Sequence, residues 1–352
     1  MKILILKPSS LGDVVQALPV LRHLKRHFPA SEIHWWIEAS LSALLENDPD
    51  LAGLIRFDRH HWASPARWAE GLRSLKRLRG EAFDWVIDLQ ALARSGVVSW
   101  LVRGRFTVGL DDAREGAPAF YDLRVPRASP LTHAVDWYLD VLRALQVPVD
   151  WEFTWLPARP DVQTAVRQRW RLDGTPFIAF QPGARWATKR WPAGHFTALI
   201  RSLAGDLPGH RFVVLGAAAD AALARAITAV APDRCLNLAG QTNLPEMVEC
   251  LRLCELLVTN DSGPMHVAAA LGRPVVGLFG PTEPRRTGPY GQVERALQLR
   301  LPCVPCLRGR CRHVPPLECL AALTPDRVRQ AVLNRVTREP SGKAACQESL
   351  PT

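Results

Sequence analysis

Short apolar runs alternate with amphipathic segments along the first half of the chain. The apolar runs predict buried strands at 2–7, 33–37 and 85–89. Apolar positions at helical spacing predict helices at 14–28, 65–79 and 92–102. Strands that alternate with helices build a mostly parallel sheet with helices on both faces. The first half therefore predicts a Rossmann-like domain, which we place at residues 1–150.

The same alternation restarts after segment 147–160, which is rich in proline and tryptophan and which we predict to be the linker between two domains. The second half predicts strands at 177–180, 212–215, 256–259 and 275–278, and helices at 194–204, 218–230, 244–253 and 263–271. We place a second Rossmann-like domain at residues 161–337 and a flexible polar tail at 338–352. The predicted fold class is α/β, with two doubly wound parallel sheets facing a cleft and ligands at the carboxyl ends of the strands.

The bulk composition fits this architecture and narrows the partners. The chain has 352 residues, 47% of them hydrophobic and 22% charged, which suits two globular domains. No run approaches the roughly 18 consecutive apolar residues that cross a bilayer, so we expect a cytoplasmic protein. The net charge of +10 lies entirely in the second half, since residues 1–165 carry 20 basic and 20 acidic side chains. These bases are scattered, which favours a small phosphate-bearing ligand over nucleic acid.

All 8 cysteines follow residue 234, a distribution that excludes a secreted disulfide scaffold. Four of them are close enough in sequence to form a metal or disulfide cluster: Cys303, Cys306, Cys311 and Cys319. The usual zinc pattern, two Cys-x-x-Cys knuckles with a longer spacer, does not occur in this segment. We therefore predict a structural clip for the loop, and no catalytic metal or required cofactor.

The loop after the first predicted strand, KPSSLGD at 7–13, carries the first candidate chemistry. Gly12 at a strand-to-helix turn lets a ligand approach backbone N–H groups at the helix N-terminus. Asp13 has two interpretations, because it can cap the helix or act as a general base on a hydroxyl group. The position in the sequence leaves both open.

A basic loop, QPGARWATKRWP at 181–192, follows the first strand of the second half. Thr188 and Lys189 can contact phosphate oxygens, and Arg185 and Arg190 reinforce the positive field. The alternative is a surface loop with ordinary solvated bases. Four bases at the mouth of a parallel sheet favour the phosphate site.

The strand-turn-helix at 259–272, TNDSGPMHVAAALG, is the strongest of these signals. The N–H groups of Ser262 and Gly263 at a helix start form an anion site suited to a diphosphate. Asp261 would accept hydrogen bonds from sugar hydroxyls. His266, one turn along, is either an ordinary helix histidine or a ligand. The following loop, FGPTEP at 279–284, is explained largely by its turn-forming residues.

Five ordered motifs together make the chain resemble glycosyltransferase family 9, the heptosyltransferases of lipopolysaccharide inner-core assembly. They are KPSSLGD at 7–13, DLQALARS at 88–95, PGA…KRWP at 182–192, NDSGPMHVAAALG at 260–272 and FGPT at 279–282. The resemblance implies a GT-B fold and inversion of the anomeric centre without a covalent intermediate. It implies that the C-terminal domain holds ADP-L-glycero-D-manno-heptose and the N-terminal domain holds the lipid A–Kdo core acceptor.

The resemblance also places the family's site residues on this sequence. The catalytic base falls on Asp13, the phosphate-contacting lysine on Lys189, and the acidic group for the ribose near Asp220. The sugar–diphosphate loop falls on 261–263. With the residues from the loops above, the predicted donor site comprises Thr188, Lys189, Asp220, Asp261, Ser262, Gly263 and His266.

Acceptor binding is predicted in the N-terminal domain. Segment 56–79 carries seven Lys or Arg and two His against two acids, within an otherwise neutral half. That excess suits a phosphorylated, carboxylate-rich core sugar, although a solvated basic helix face is an equal alternative. The predicted acceptor-binding residues are Ser10, Gly12, Arg59, Arg73, Lys76 and Arg77.

Several alternatives stay open at this stage. The N-terminal motifs are similar to those of the enzyme that adds the first heptose, and the C-terminal motifs to those of the enzyme that adds the second. Other members of the family transfer other sugars. A sugar-nucleotide epimerase, such as a UDP-GlcNAc 2-epimerase, also uses two Rossmann-like halves, and a non-catalytic nucleotide-binding protein is a further alternative. We expect a monomer at the cytoplasmic face of the inner membrane.

Overall fold

The computed structural model describes residues 1–58, 78–149 and 153–336, which form two parallel sheets with helices around them. The first sheet has the strand order β3-β2-β1-β4-β5-β6. Its strands are β1 (Lys2–Leu6), β2 (Glu32–Glu38), β3 (Gly53–Phe57), β4 (Trp85–Asp88), β5 (Phe106–Leu110) and β6 (Leu123–Val125). Its helices include α1 (Leu11–His27), α2 (Ala93–Val102) and α3 (Ala134–Ala144).

The second sheet has the order β12-β11-β10-β7-β8-β9. Its strands are β7 (Phe177–Gln181), β8 (Arg211–Val214), β9 (Cys235–Asn237), β10 (Leu256–Asn260), β11 (Val275–Phe279) and β12 (Leu297–Gln298). The helices of this part are α4 (Pro160–Trp170), α5 (Ala193–Asp206), α6 (Ala221–Thr228), α7 (Leu244–Leu253), α8 (Gly263–Ala270), α9 (Pro284–Thr287), α10 (Glu318–Ala321) and α11 (Pro325–Val336).

Both sheets have the same order when their strands are counted from their own first strand. Each sheet therefore changes winding direction beside that strand, between β1 and β4 in one half and between β7 and β10 in the other. Loops at such a switch point form the ligand crevice of a doubly wound sheet. The predicted α/β fold with two Rossmann-like halves is confirmed.

The central strands are buried on both faces, which explains their unbroken apolar runs. Every residue of β7, β10 and β11 is buried, and so is every residue of β1 after Lys2. A parallel strand covered by helices on both sides needs apolar side chains at consecutive positions rather than at alternate ones. The sites of interest lie where these strands end.

The two halves pack against each other through α1 and α8. Two glycines allow this approach: a Cβ on Gly12 would lie 2.3 Å from Cδ2 of His266, and a Cβ on Gly263 would lie 2.8 Å from Cδ2 of Leu11. The N-termini of the two helices therefore meet at the cleft. Apolar residues of both halves belong to one continuous core.

Two arginines hold the linker to both halves. Arg22 of α1 pairs with Asp48 at 2.6 Å and donates to the carbonyl oxygen of Trp155 at 2.9 Å. From the other half, Arg252 donates to the carbonyl oxygens of Leu156 and Pro157. The described part of the predicted linker is thus a fixed connection, which positions the cleft.

Most predicted elements agree with the structure. The first helix begins at Leu11 rather than 14, and the predicted helix at 218–230 is a 3₁₀ turn, Ala218–Asp220, followed by α6. The prediction missed the edge strands β3, β6, β9 and β12, the inner strand β5 and the helices α3, α4, α9, α10 and α11. The predicted helix at 65–79 lies mostly outside the described residues, and the predicted tail lies wholly outside them. Among the helices the structure describes, none has the length and apolar character that crossing a membrane requires.

Candidate active site

Asp13 lies in the first turn of α1, at the cleft. Its Oδ2 accepts hydrogen bonds from the backbone N of Ser10 at 2.9 Å and from Ser10 Oγ at 2.6 Å. Ser10 is the residue that precedes the helix, so the interpretation of Asp13 itself as the N-cap is wrong. The carboxylate instead supports the helix start from the third helical position, as in a capping box.

The charge state of Asp13 is set by its neighbours. Burial acts to raise the pKa of this carboxyl group, but the Lys7 ammonium, the two hydrogen bonds from Ser10 and the nearby His266 together outweigh burial. The pKa of Asp13 therefore lies below its usual value. A carboxylate that stays ionised and has lone pairs facing a cleft can accept a proton from a bound hydroxyl group.

Lys7 is a buried cation behind Asp13. Its Nζ donates to the carbonyl oxygen of Leu89 at 2.7 Å and lies 4.8 Å from the centre of the Tyr138 ring. Burial opposes its charge, yet Tyr138, Asp13 and Asp88 outweigh burial and keep the pKa of Lys7 above its usual value. No role was predicted for Lys7. The available signal was a lysine directly after the apolar run 3–6, because a buried lysine needs a charge partner.

Lys189 and Asp261, predicted separately from two loops, meet at the end of the second sheet. Lys189 Nζ lies 2.6 Å from Asp261 Oδ2, and Thr282 Oγ1 donates to the same oxygen at 2.6 Å. Asp261 and Thr282 are buried, and one-fifth of the Lys189 side chain is exposed. The loop after β11, attributed largely to turn chemistry, thus contributes Thr282 directly to this cluster.

His266 lies within reach of the charge on Asp13 from one half and of the Lys189–Asp261 pair from the other. Burial lowers its pKa and Lys189 adds to that effect, against the opposing charges of Asp261 and Asp13. The imidazole is therefore neutral near pH 7. Its ring packs on Gly12 across the cleft, so it is part of the contact between the halves as well as of the site.

Hydrogen bonds of Thr188 and Asn260 fix the conformation of the basic loop. The Thr188 hydroxyl donates to the carbonyl oxygen of Arg308 at 2.9 Å, and its side chain is buried, so its predicted phosphate contact would require this bond to break. Asn260 accepts from the backbone N of Trp191 at 3.0 Å and donates to the carbonyl oxygen of Pro182 at 2.7 Å. The asparagine therefore ties both ends of the loop to β10, a role that the sequence analysis missed.

A cavity of about 450 Å³ opens beside this cluster at the carboxyl ends of β7 and β8. Gly183, Arg190, Asp220 and Ser262 are among the residues that line it. Asp220 Oδ2 accepts from the backbone N of Ala217 at 3.1 Å, and a Cβ on Gly183 would lie 2.3 Å from that oxygen. Glycine at 183 therefore allows the Asp220 carboxylate to reach the cavity. The cavity is large enough for a nucleotide-sized ligand.

The predicted acceptor-binding residues lie partly at the cleft and partly outside the described residues. Ser10 and Gly12 lie beside Asp13 on the N-terminal side of the cleft. Arg59, Arg73, Lys76 and Arg77 fall outside the described residues. The motif at 88–95 begins with a structural carboxylate, since Asp88 is buried and accepts a hydrogen bond from Tyr121 Oη at 2.7 Å.

The four clustered cysteines line one small cavity together with Thr188 and Pro281: Cys303, Cys306, Cys311 and Cys319. Their thiols are free, and burial raises the pKa of Cys319, with the other three adding to that effect. Within residues 1–58, 78–149 and 153–336, no group of three His, Cys, Asp or Glu side chains is arranged to hold a metal ion. The structural clip stays a prediction.

Replacing Gly12 with alanine is expected to destabilise the protein by about 1–3 kcal/mol, because the new Cβ overlaps the buried His266 ring. A thermal unfolding measurement tests this. Gly194→Ala in α5 is the matched control, since nothing lies within 4 Å of its Cβ position. Alanine restricts the unfolded chain more than glycine does, so this variant is expected to be as stable as the wild type or slightly more stable. An unchanged unfolding temperature for Gly12→Ala would show that the helices do not meet as described.

Comparisons with known proteins identify the family of the chain. Residues 72–315 match the family described as Glycosyltransferase family 9 (heptosyltransferase). The chain is 32% identical to the lipopolysaccharide heptosyltransferase 1 of Pseudomonas aeruginosa, over 93% of this chain and 96% of that protein. It is 31% identical to the lipopolysaccharide heptosyltransferase 2 of Salmonella typhimurium, over 85% and 88%. The structure is similar to that of E. coli ADP-heptose lps heptosyltransferase II, with a TM-score of 0.76, 26% identity and coverage of 96% and 98%.

Proposed function

The chain belongs to glycosyltransferase family 9, and from that premise we propose that it transfers L-glycero-D-manno-heptose from ADP-heptose to the lipopolysaccharide inner core. The names of its relatives support this donor and this acceptor class. The proposed acceptor is Kdo-lipid A or heptosyl-Kdo-lipid A. Because the acceptor is lipid-anchored and the donor is a nucleotide sugar, we place the reaction at the cytoplasmic face of the inner membrane.

One observation carries the proposal: an ionised Asp13 lies across the cleft from the Lys189–Asp261 pair, and the charges of both act on the intervening His266. Asp13 takes the proton of the acceptor hydroxyl as its oxygen bonds to the anomeric carbon. The bond from that carbon to the diphosphate oxygen breaks, and the electron pair leaves with ADP. Attack from the side opposite to ADP inverts the anomeric centre.

The charges in the cleft suit this reaction. Negative charge develops on the departing diphosphate, where Lys189 and the N-terminus of α8 stabilise it. Positive charge develops on the sugar ring, as in glycoside hydrolysis, and in the proposed mechanism the Asp261 carboxylate stabilises it. The step balances with these groups alone, so the proposed mechanism requires no metal or cofactor.

Mass spectrometry of reactions with ADP-heptose and defined core acceptors of increasing length tests the proposal. The expected result is an acceptor whose mass increases by one heptose residue, with an equal amount of ADP released. The acceptor that reacts tells the first heptose addition from the second. Isomerised nucleotide sugar without any transfer would instead support an epimerase, and transfer of a different sugar would contradict the proposed donor.

Replacing Lys7 with methionine is expected to move the acid limb of the pH profile of kcat/KM to higher pH. The pKa of Asp13 is held low partly by the Lys7 charge, so removing that charge raises the pKa and the base becomes protonated at a higher pH. The profile reports groups of the free enzyme. Lys25→Met, near the other end of α1, is the control and should leave the limb in place. A limb that does not move in Lys7→Met would contradict this role of Lys7.

A further inference from the structure

The two halves meet a second time beside the active site. The segment after β6 faces the segment around α9, and side chains join them. His133 Nε2 lies 3.1 Å from the carbonyl oxygen of Gly288, and Tyr290 Oη donates to Asp136 Oδ1 at 2.6 Å. The rings of His133 and Tyr290 lie 4.9 Å apart. We call this contact between 126–136 and 284–291 the second seam.

Two arginines, one from each half, act on each other at the second seam. Arg127 follows β6, and its guanidinium lies 4.7 Å from the centre of the Trp137 ring. Its Nε is buried and finds no hydrogen-bond partner among the residues that the structure describes. Arg286 lies in α9, and its charge is close enough to depress the pKa of Arg127, after burial itself.

The carboxylates near these arginines already have partners. Asp112 is held by Arg114, whose Nε lies 2.7 and 2.8 Å from its two oxygens. Glu283 accepts two hydrogen bonds at 2.9 Å from the side chain of Arg285, although Arg286 also acts on its charge. No ion pair in the described part of the chain includes Arg127 or Arg286. The second seam thus carries two positive charges that Asp112 and Glu283 offset only through their electric field, not through an ion pair.

Such an arrangement lowers the stability of the folded protein as long as no ligand is bound. A buried donor without a partner costs about 1–3 kcal/mol, and like charges add to that cost. Proteins accept local losses of this kind mainly at functional sites. An anion placed between the two guanidinium groups would satisfy both, since arginine matches phosphate and carboxylate oxygens in pairs.

We propose that Arg127 and Arg286 together bind an anionic group, a phosphate or a sugar-acid carboxylate, of the acceptor. That the anion belongs to the acceptor rests on the proposed function. Its position supports this assignment, because the charge of Arg127 reaches Tyr138, and Tyr138 lies beside Lys7 and within reach of the charge on Asp13. The subsite is thus on the side of the general base. Because each half supplies one arginine, acceptor binding holds the two halves in their catalytic arrangement.

The test compares R127Q, R286Q and the double variant with the control R105Q, an exposed arginine of the same domain as Arg127. Each single variant is expected to raise the acceptor KM roughly tenfold, the effect of losing one hydrogen bond to a charged group. The donor KM should stay within about twofold, as should all constants of R105Q. The double variant should raise the acceptor KM by less than the product of the single effects, because both arginines hold one anion. An unchanged acceptor KM in the presence of normal transfer would overturn the proposal and leave the proposed function standing.

Acceptor chemistry identifies the anion. On a dephosphorylated acceptor, wild type and R127Q should have the same acceptor KM if the anion is a phosphate. On a carboxyl-reduced acceptor they should agree if it is a sugar acid. A difference that persists on both modified acceptors would overturn the assignment to an acceptor anion.

A binding measurement that needs no acceptor keeps the test independent of transfer activity. With the donor site saturated by ADP, inorganic phosphate should raise the unfolding temperature of the wild type and of R105Q, but not that of the double variant. In the absence of phosphate, R286Q should unfold no earlier than the wild type, because the substitution removes a repulsion. Equal phosphate stabilisation of the double variant, or a marked loss of stability in R286Q, would show that the arginines have a structural role instead.

Discussion

Replacing Asp13 with asparagine is expected to lower kcat by about 10²–10⁴-fold, the usual contribution of a general base, and to leave the affinity for ADP-heptose almost unchanged. Asparagine keeps the shape of the side chain and an oxygen for the hydrogen bonds from Ser10, so α1 should still begin at the same place. It cannot take a proton from the acceptor hydroxyl. The loss should therefore appear in the chemical step alone.

Two measurements make this prediction specific. Single-turnover kinetics report the chemical step, and calorimetric titration with ADP-heptose reports donor binding. Asp173→Asn is the matched control, because Asp173 is exposed and forms a surface ion pair with Arg167. Turnover close to the wild type in Asp13→Asn would remove Asp13 from the mechanism, whereas loss of donor binding would show that the substitution disturbed the fold of the cleft.

Replacing Lys189 with methionine is expected to lower both donor affinity and turnover. Losing a hydrogen bond to a charged group costs about 1.5–3 kcal/mol, which weakens donor binding by roughly 10–150-fold. Removing a group that stabilises developing charge lowers kcat by a further 10²–10³-fold, roughly as for one donor of an oxyanion hole. Methionine has a similar length and no charge, so the change isolates the ammonium group.

Two further variants serve as controls for Lys189→Met. Arg201→Met, on the exposed face of α5, controls for loss of a positive charge from the basic half. Lys189→Arg should recover only part of the activity, because a planar guanidinium does not reproduce the compact contact with Asp261. A donor KM that stays at the wild-type value in Lys189→Met would contradict a phosphate contact at this position.

The elements that sequence patterns predicted are those whose surroundings leave a strong mark on the sequence. The strands β1, β7, β10 and β11 are covered on both faces, so their apolar runs are continuous. The edge strands β6, β9 and β12 have only two or three residues and carry no comparable run. Helix α4 has a mostly polar sequence with two buried residues, which hides its periodicity.

The candidate site was predictable in its loops but not in its contacts. Residues at the ends of neighbouring parallel strands are expected to lie close together, which placed Lys189 and Asp261 on the same edge of the sheet. Their direct ion pair, and the hydrogen bond from Thr282, depend on side-chain directions that no spacing encodes. The influence of the Arg286 charge on Arg127 depends on how the two halves meet, and a pattern within one half carries no information about that arrangement.

In the empty site, Asp261 occupies Lys189, so an incoming phosphate has to compete with Asp261 for the lysine. An incoming phosphate that draws Lys189 away leaves the buried Asp261 carboxylate with Thr282 as its one described hydrogen-bond donor, a loss that a neutral sugar with free hydroxyl groups can restore. Inorganic phosphate and bare nucleotides carry the anion but no sugar hydroxyl groups, so they bind Lys189 but leave Asp261 without a replacement partner. Under the proposed function, the pair would therefore favour an intact sugar nucleotide over the abundant simple anions of a cell, and would assist the release of ADP once the sugar has been transferred.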